Sequence, residues 1–199
     1  MDGLMNDFYL VNHCPVSFNF LLFINRFYKY EPIDELKTVS LDAKFAQGLL
    51  VTDVFVSRLS TVWEKYIELY ESIKENNSMQ YNIIESNYQS ILNNTSVLFR
   101  HDESGTRTLN QAWSIFISWF WYPHCGIFSQ LNNISNEIIT EVKLNRPLSK
   151  NISLQTVFDD IPYHLPHKGE NFVIIPISQL VSKNKTELVN DKLNTILTL

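Results

Sequence analysis

The stretch that decides the fold is LNQAWSIFISWFWYP, residues 109–123, which holds three of the chain's four tryptophans. Helical spacing places its apolar residues on two adjacent stripes, one of Leu109, Trp113, Phe116 and Phe120 and one of Ile115, Trp119 and Tyr122. A helix that is apolar around most of its circumference needs cover from other elements. We therefore expect a central core helix that is shared with a protein partner. The residues of this helix expected to contact the partner are Trp113, Phe116, Trp119, Phe120, Trp121 and Tyr122.

Composition limits the classes of function that fit this chain. Its 199 residues are 45% hydrophobic and 19% charged, which is typical of a folded protein and not of a disordered one. The net charge is −5, and the sequence pI is about 5.5. Nucleic-acid affinity comes mainly from lysine and arginine neutralising phosphates, so we expect no direct nucleic-acid binding by the chain alone.

The N-terminal region and the cysteines indicate a cytoplasmic protein. Asp2 and Asp7 stand where a signal peptide would carry positive charge. The apolar run at residues 112–122 is shorter than the roughly 20 residues that a membrane span needs. Cys14 and Cys125 could form at most one disulfide, so no disulfide framework is expected.

Apolar periodicity predicts a mainly α-helical fold, an irregular bundle of five to six helices. Helices are expected at residues 15–30, from Ser40 to about 73, at 81–94, over the central stretch and at 127–144. We assign residues 1–147 to a helical core domain and 148–199 to a loop-rich C-terminal extension. That extension is expected to hold one short strand at residues 172–175 and a terminal helix with Val189, Leu193 and Ile196 on one face.

One loop gathers side chains that could carry catalysis. Arg100, His101, Asp102 and Glu103 combine a cation, a general base and two carboxylates. Charged loops are usually only solvated, and the chain has no Gly-rich phosphate loop and no Gly-x-Ser-x-Gly elbow. Helical RNases of the HEPN class need an arginine followed four to six residues later by a histidine, and no arginine here has one. We therefore expect a non-enzymatic protein, with a nuclease-like toxin or enzyme using residues 100–103 as the alternative.

Two His-Cys pairs are the candidates for a metal site. Imidazole nitrogen and thiolate sulfur are the usual zinc ligands, so His13, Cys14, His124 and Cys125 could converge on one ion. Zinc signatures nevertheless separate paired ligands by two or more residues, and adjacent residues rarely point at the same metal. We expect buried or capping roles for these residues, and neither a metal nor a cofactor.

The segment LVNHCP, residues 10–15, runs directly into an apolar helix with Phe20, Phe23 and Phe27. It resembles the opening of the small middle components of bacterial three-component, Lamassu-type systems built on SMC-like ABC ATPases. The resemblance covers about a tenth of the chain, and no functional residues are carried over from it. It implies a non-catalytic subunit that bridges an ATPase and an effector nuclease in antiphage or antiplasmid defence.

Together these observations favour a non-catalytic interaction subunit of a larger intracellular complex. Aromatic residues make up 13% of the chain, a large share for a small domain to bury. A small-ligand sensor with a pocket lined by tryptophans is a third possibility.

Overall fold

The computed structural model describes residues 10–28, 48–73, 78–122, 126–141 and 152–197. Three strands lie within these ranges: β1 (Leu10–His13), β2 (Ile152–Val157) and β3 (Phe172–Pro176). Eight α-helices are found in the same ranges: α1 (Val16–Tyr28), α2 (Thr52–Glu71), α3 (Ser78–Ser86), α4 (Tyr88–Thr95), α5 (Glu103–Phe120), α6 (Ile127–Glu141), α7 (Ile177–Leu180) and α8 (Lys185–Leu197). The protein is therefore mainly helical, with a small sheet.

The sheet is parallel and has the order β1-β2-β3. Leu10 lies opposite Ile152 in the first pair, and Val157 lies opposite Pro176 in the second. Every residue of β2 and β3 is buried, as expected of a parallel sheet that is covered on both faces. The sheet thus joins the N-terminal part of the chain to its C-terminal part.

The two faces of the sheet border two apolar cores. Ile152 and Leu154 of β2 and Val173 and Ile175 of β3 pack in one core, together with residues of α6, α7 and α8. Alternate residues, among them Val157, Phe172 and Ile174, belong to the larger core, which α1, α2 and α5 fill with aromatic side chains. Side chains alternate between the faces of a strand, so one short strand contributes to both cores.

Several sequence predictions are confirmed. In the predicted second helix, apolar residues recur at steps of four and three, and α2 buries four of them: Phe55, Leu59, Val62 and Tyr66. The terminal helix buries Val189, Leu193 and Ile196, as expected, and the predicted strand is β3. Local patterns were sufficient for these elements because each helix buries one contiguous stripe and β3 is a short, continuously apolar run.

The structure differs from the prediction in the number of elements. The described residues hold eight helices, where five to six were expected, and three strands, where one was expected. The predicted third helix is divided into α3 and α4 at Asn87, whose side chain accepts a hydrogen bond from the Ser90 amide at 3.0 Å. The helix start predicted at Ser40 lies outside the described residues.

The pairing of β1 with β2 crosses the predicted boundary between residues 147 and 148. A division into residues 1–147 and 148–199 would therefore cut through the sheet.

Within the part of the chain that the structure describes, no helix has the length and apolar character that crossing a membrane requires.

Candidate functional site

A cavity of about 390 Å³ opens at the carboxyl end of β1. Its wall is formed by Asn12, His13 and Cys14 at the end of this strand, by one face of α3, and by Asn132 and Phe128 of α6. Ligands of open parallel sheets commonly bind outside the carboxyl ends of the strands, and pockets of this size accommodate small molecules or side chains. The cavity is therefore the candidate functional site.

A chain of hydrogen bonds fixes the wall formed by β1 and α6. The Ser135 and Thr156 hydroxyl oxygens lie 2.7 Å apart in the interior, and Thr156 Oγ1 donates to Asn12 Oδ1 at 3.1 Å. The other amide atom, Asn12 Nδ2, donates to Asn132 Oδ1 at 3.4 Å. These hydrogen bonds connect the buried sheet to the cavity. They therefore orient the amide side chains of Asn12 and Asn132, which a ligand in the cavity would meet.

His13 lies flat against Tyr81 of α3, with the ring centroids 3.7 Å apart and the ring planes inclined by 18°. Burial lowers the pKa of His13 to about 4, because desolvation disfavours the imidazolium form. The imidazole is therefore neutral at pH 7 and offers one acceptor nitrogen. Tyr81 is held in turn by a 3.2 Å hydrogen bond from its hydroxyl to Gln155 Oε1.

Glu85 of α3 is buried at the N-terminus of α1. Its Oε2 accepts from the backbone amides of Val16 and Ser17, and its Oε1 accepts from the Ser17 hydroxyl at 3.0 Å and from the Tyr70 hydroxyl. These four donors fill the lone-pair sites of a carboxylate, and the positive end of the helix favours its charge. Burial nevertheless raises the pKa of Glu85 to about 7, although the hydrogen bonds from Ser17 and Val16 oppose this shift.

Cys14 follows His13 and also lines the cavity. Burial raises the pKa of its thiol to about 12, against the opposing effect of a hydrogen bond with the Asn12 side chain. The thiol is therefore protonated at pH 7 and is poorly suited to act as a nucleophile or a metal ligand.

Three further aromatic side chains line the cavity: Tyr88 of α4, Trp121 at the end of α5 and Phe128 of α6. We call these three residues the aromatic rim. The rings of Trp121 and Phe128 lie 4.4 Å apart, and Tyr88 contacts Trp113 edge to face at 5.3 Å. Trp121 remains 41% exposed, so the rim presents aromatic surface to solvent.

The predicted interface residues divide into three groups. Phe116 and Phe120 are 0% exposed and therefore pack in this chain's own core, which corrects the expectation that they contact a partner. Trp113 and Trp119 are half-buried against the same core. Of these six residues only Trp121 and Tyr122, at the end of the stretch, are exposed, at 41% and 59%.

The predicted catalytic loop lies apart from the residues that line the cavity. Asp102 accepts a 2.9 Å hydrogen bond from the Gly105 amide as the N-cap of α5, and its Oδ2 lies 3.0 Å from Arg100 Nε. The pKa of Asp102 is lowered, mainly by the Gly105 hydrogen bond. His101 and Glu103 are exposed beside it. This arrangement gives Asp102 a structural role as a helix cap.

The four candidate metal ligands are described only in part. His13 and Cys14 lie at the cavity, whereas His124 and Cys125 lie outside the described residues. Among the residues that the structure describes, no three His, Cys, Asp or Glu side chains are grouped as a metal site.

Sequence reasoning did not identify Glu85, Asn12 or Asn132. These residues are separated along the chain, and the parallel sheet brings β1 next to α6 only in the folded protein. The available signal was local: Asn12 directly precedes His13, Cys14 and the Pro15 that begins an apolar helix, the pattern of a strand, a turn and a helix.

Comparison of the chain with protein-family models, with curated proteins and with solved structures finds no match.

Proposed function

We propose that this protein is a non-catalytic interaction subunit of a larger complex, and that it docks on its partner through the aromatic rim and the adjacent Tyr122. The observation that carries the proposal is the exposure of Trp121 and Tyr122, at 41% and 59%, beside a concave cavity. Tryptophan and tyrosine are the residues most enriched among interface anchors.

The position of these two residues supports the proposal. The aromatic residues before them in α5 are buried or half-buried, and the first exposed aromatic side chains come where the stretch reaches the cavity. Single exposed apolar residues are ordinary on protein surfaces. Here, however, Tyr88 and Phe128 continue the aromatic surface from Trp121 into the cavity. Interface anchors typically fill pockets with walls of this kind.

The proposal is tested by affinity purification of the tagged protein, at its native level, from the cell that encodes it. Trp121→Ala combined with Tyr122→Ala should reduce the recovery of the partner by about tenfold or more. The matched control is Tyr163→Ala, since this tyrosine is 97% exposed and lies on the loop between β2 and β3. A specific partner that is lost from both variants alike, or retained by both, would contradict the proposed surface.

The finer form of the proposal is a bridge between an SMC-like ATPase and an effector in bacterial antiphage or antiplasmid defence. Its support is the resemblance of residues 10–15, which form β1 and the turn into α1. Co-expression with an SMC-like ATPase and an effector encoded beside this chain tests it. A ternary complex that requires this chain is the expected result, and direct association of the other two proteins without it argues against a bridge.

A further inference from the structure

We propose that the cavity at the carboxyl end of β1 binds a guanidinium group, which an arginine side chain of the protein partner supplies. This inference rests on the proposed function and names the chemistry of the partner's contact. Four features of the cavity carry it: its aromatic faces, its hydrogen-bond acceptors, its charge and its place beside the exposed end of α5.

The aromatic rim offers surfaces for a planar cation. Trp121 and Phe128 line the cavity with their ring centroids 4.4 Å apart and their planes inclined by 43°, and Tyr88 lines the same space. A guanidinium group stacks on aromatic rings through dispersion and through attraction to the ring quadrupole, and it is more weakly hydrated than an ammonium group.

The polar part of the wall offers acceptors. Asn132 Oδ1 accepts from Asn12, but an amide oxygen has two lone pairs and can accept a second hydrogen bond. Asn82 and Ser86 of α3 line the same wall, and the neutral imidazole of His13 adds an acceptor nitrogen. Guanidinium carries five N–H donors in one plane and no acceptor, so it suits a wall of this kind.

The charge of the cavity favours a cation. Among the described residues that line it, Glu85 is the acidic member, and none is lysine or arginine. The titratable groups around Glu85 are Tyr66 and Tyr70 of α2, Tyr81 of its own helix, and His13 and Cys14 at the end of β1. None of them is cationic at pH 7, so a ligand phosphate or carboxylate would find no opposite charge here. The chain as a whole also carries a net charge of −5.

Arginine fits better than either of the obvious alternatives. A lysine ammonium is a compact, strongly hydrated charge, and it lacks the planar face that stacks on an aromatic ring. A neutral planar heterocycle would stack equally well, but it lacks the five N–H donors that a guanidinium group offers to the acceptors of this wall. Arginine is also enriched, together with tryptophan and tyrosine, among the residues that dominate interface energetics.

Titration of the whole chain with N-acetyl-arginine methylamide tests the proposal. The matched probe is N-acetyl-citrulline methylamide, which has almost the same shape but a neutral ureido group. Binding is followed by calorimetry and by the NMR shift of the Trp121 indole N–H. The arginine probe should bind saturably, and the citrulline probe should bind at least about tenfold more weakly.

Two variants of one residue separate stacking from general damage to the fold. Trp121→Phe keeps an aromatic face and should retain binding within a few-fold, whereas Trp121→Leu should lose it. The control is Tyr163→Leu, which should bind like the parent. The proposal is overturned if the arginine probe does not bind, if citrulline binds equally well, or if both Trp121 variants bind like the parent. If the arginine probe does not bind, but the combined Trp121→Ala and Tyr122→Ala variant still loses the partner, this inference alone is overturned and the proposed function stands.

Discussion

His13 and Glu85 line the same cavity and respond to burial in opposite directions. The pKa of His13 is lowered from 6.5 to about 4, and that of Glu85 is raised from 4.5 to about 7. Between pH 4 and 6.5 the unfolded chain binds more protons at His13, so the contribution of this residue to stability is lost as the pH falls through that range. Between pH 4.5 and 7 the folded chain binds more protons at Glu85, so the contribution of Glu85 is lost as the pH rises.

Replacing His13 with phenylalanine should expose the effect of Glu85. His13→Phe keeps a ring against Tyr81 and removes one of two opposing titrations. The stability of the variant, relative to that of the parent, should therefore fall as the pH rises from 4 to 6.5, by at most about 3 kcal/mol. Urea unfolding at pH 4.5, 5.5 and 6.5 measures the difference, with the exposed His164→Phe as the control. If the free energies of unfolding of His13→Phe and the parent change with pH in parallel, His13 is not held neutral.

Helix α5 shows how much a local pattern can predict. The first stripe predicted from its spacing is the buried one, because Leu109, Phe116 and Phe120 are all in the core. The pattern could not show that the second stripe would be partly covered by α1 and by Phe158, which contacts Trp119 at 4.8 Å. That cover comes from distant parts of the chain, so the extent of burial could not be predicted from the helix alone.

The start of α5 contains a constraint that the charged-loop interpretation overlooked. An aspartate directly before a glutamate at the beginning of an apolar-periodic stretch is a helix N-cap pattern. Three residues after this Asp102, Gly105 lies so close to the preceding loop that an added Cβ would be 1.8 Å from the Arg100 carbonyl oxygen. The loop is thus packed onto the first turn of the helix.

Gly105→Ala should therefore be strongly destabilising. The backbone of Arg100 must move to make room, and its amide also donates to the Gly48 carbonyl oxygen at 2.9 Å. We expect a loss of roughly 2–4 kcal/mol in the free energy of unfolding, against the usual gain from replacing glycine with alanine in a helix. Urea unfolding measures the loss, and Ser104→Ala, at an exposed neighbouring position, should stay within about 0.5 kcal/mol of the parent. Equal stability of Gly105→Ala and Ser104→Ala would show that the loop does not press on the helix.

At the scale of the whole molecule, the sheet is the feature that sequence reasoning could not provide. Strand β1 pairs with β2 across about 140 residues, and the pairing of parallel strands so far apart leaves no local signature. The sequence of β2, ISLQTV, alternates apolar and polar residues only over its first four positions. Its polar members are buried and hydrogen-bonded: Gln155 to Tyr81 and Thr156 to Ser135. A prediction of burial from hydrophobicity places polar side chains at the surface, so it fails for polar side chains that lie in a core. The candidate cavity was missed for the same reason, since it exists only where β1 meets α3 and α6.

If the sheet joins both cores into one cooperative unit, damage to one core must destabilise the other. Leu154 is fully buried in the core formed with α6, α7 and α8, whereas Trp63, Trp113 and Trp119 belong to or pack against the other core. Leu154→Ala should cost roughly 2–5 kcal/mol. It should also shift the urea midpoint by the same amount whether unfolding is followed by tryptophan fluorescence or by far-UV circular dichroism. The matched control is Leu188→Ala, at an exposed position of α8, which should leave both midpoints nearly unchanged. A fluorescence midpoint that stays in place while the dichroism midpoint falls would mean that residues 148–199 unfold as a separate unit, as the division at residue 147 implies.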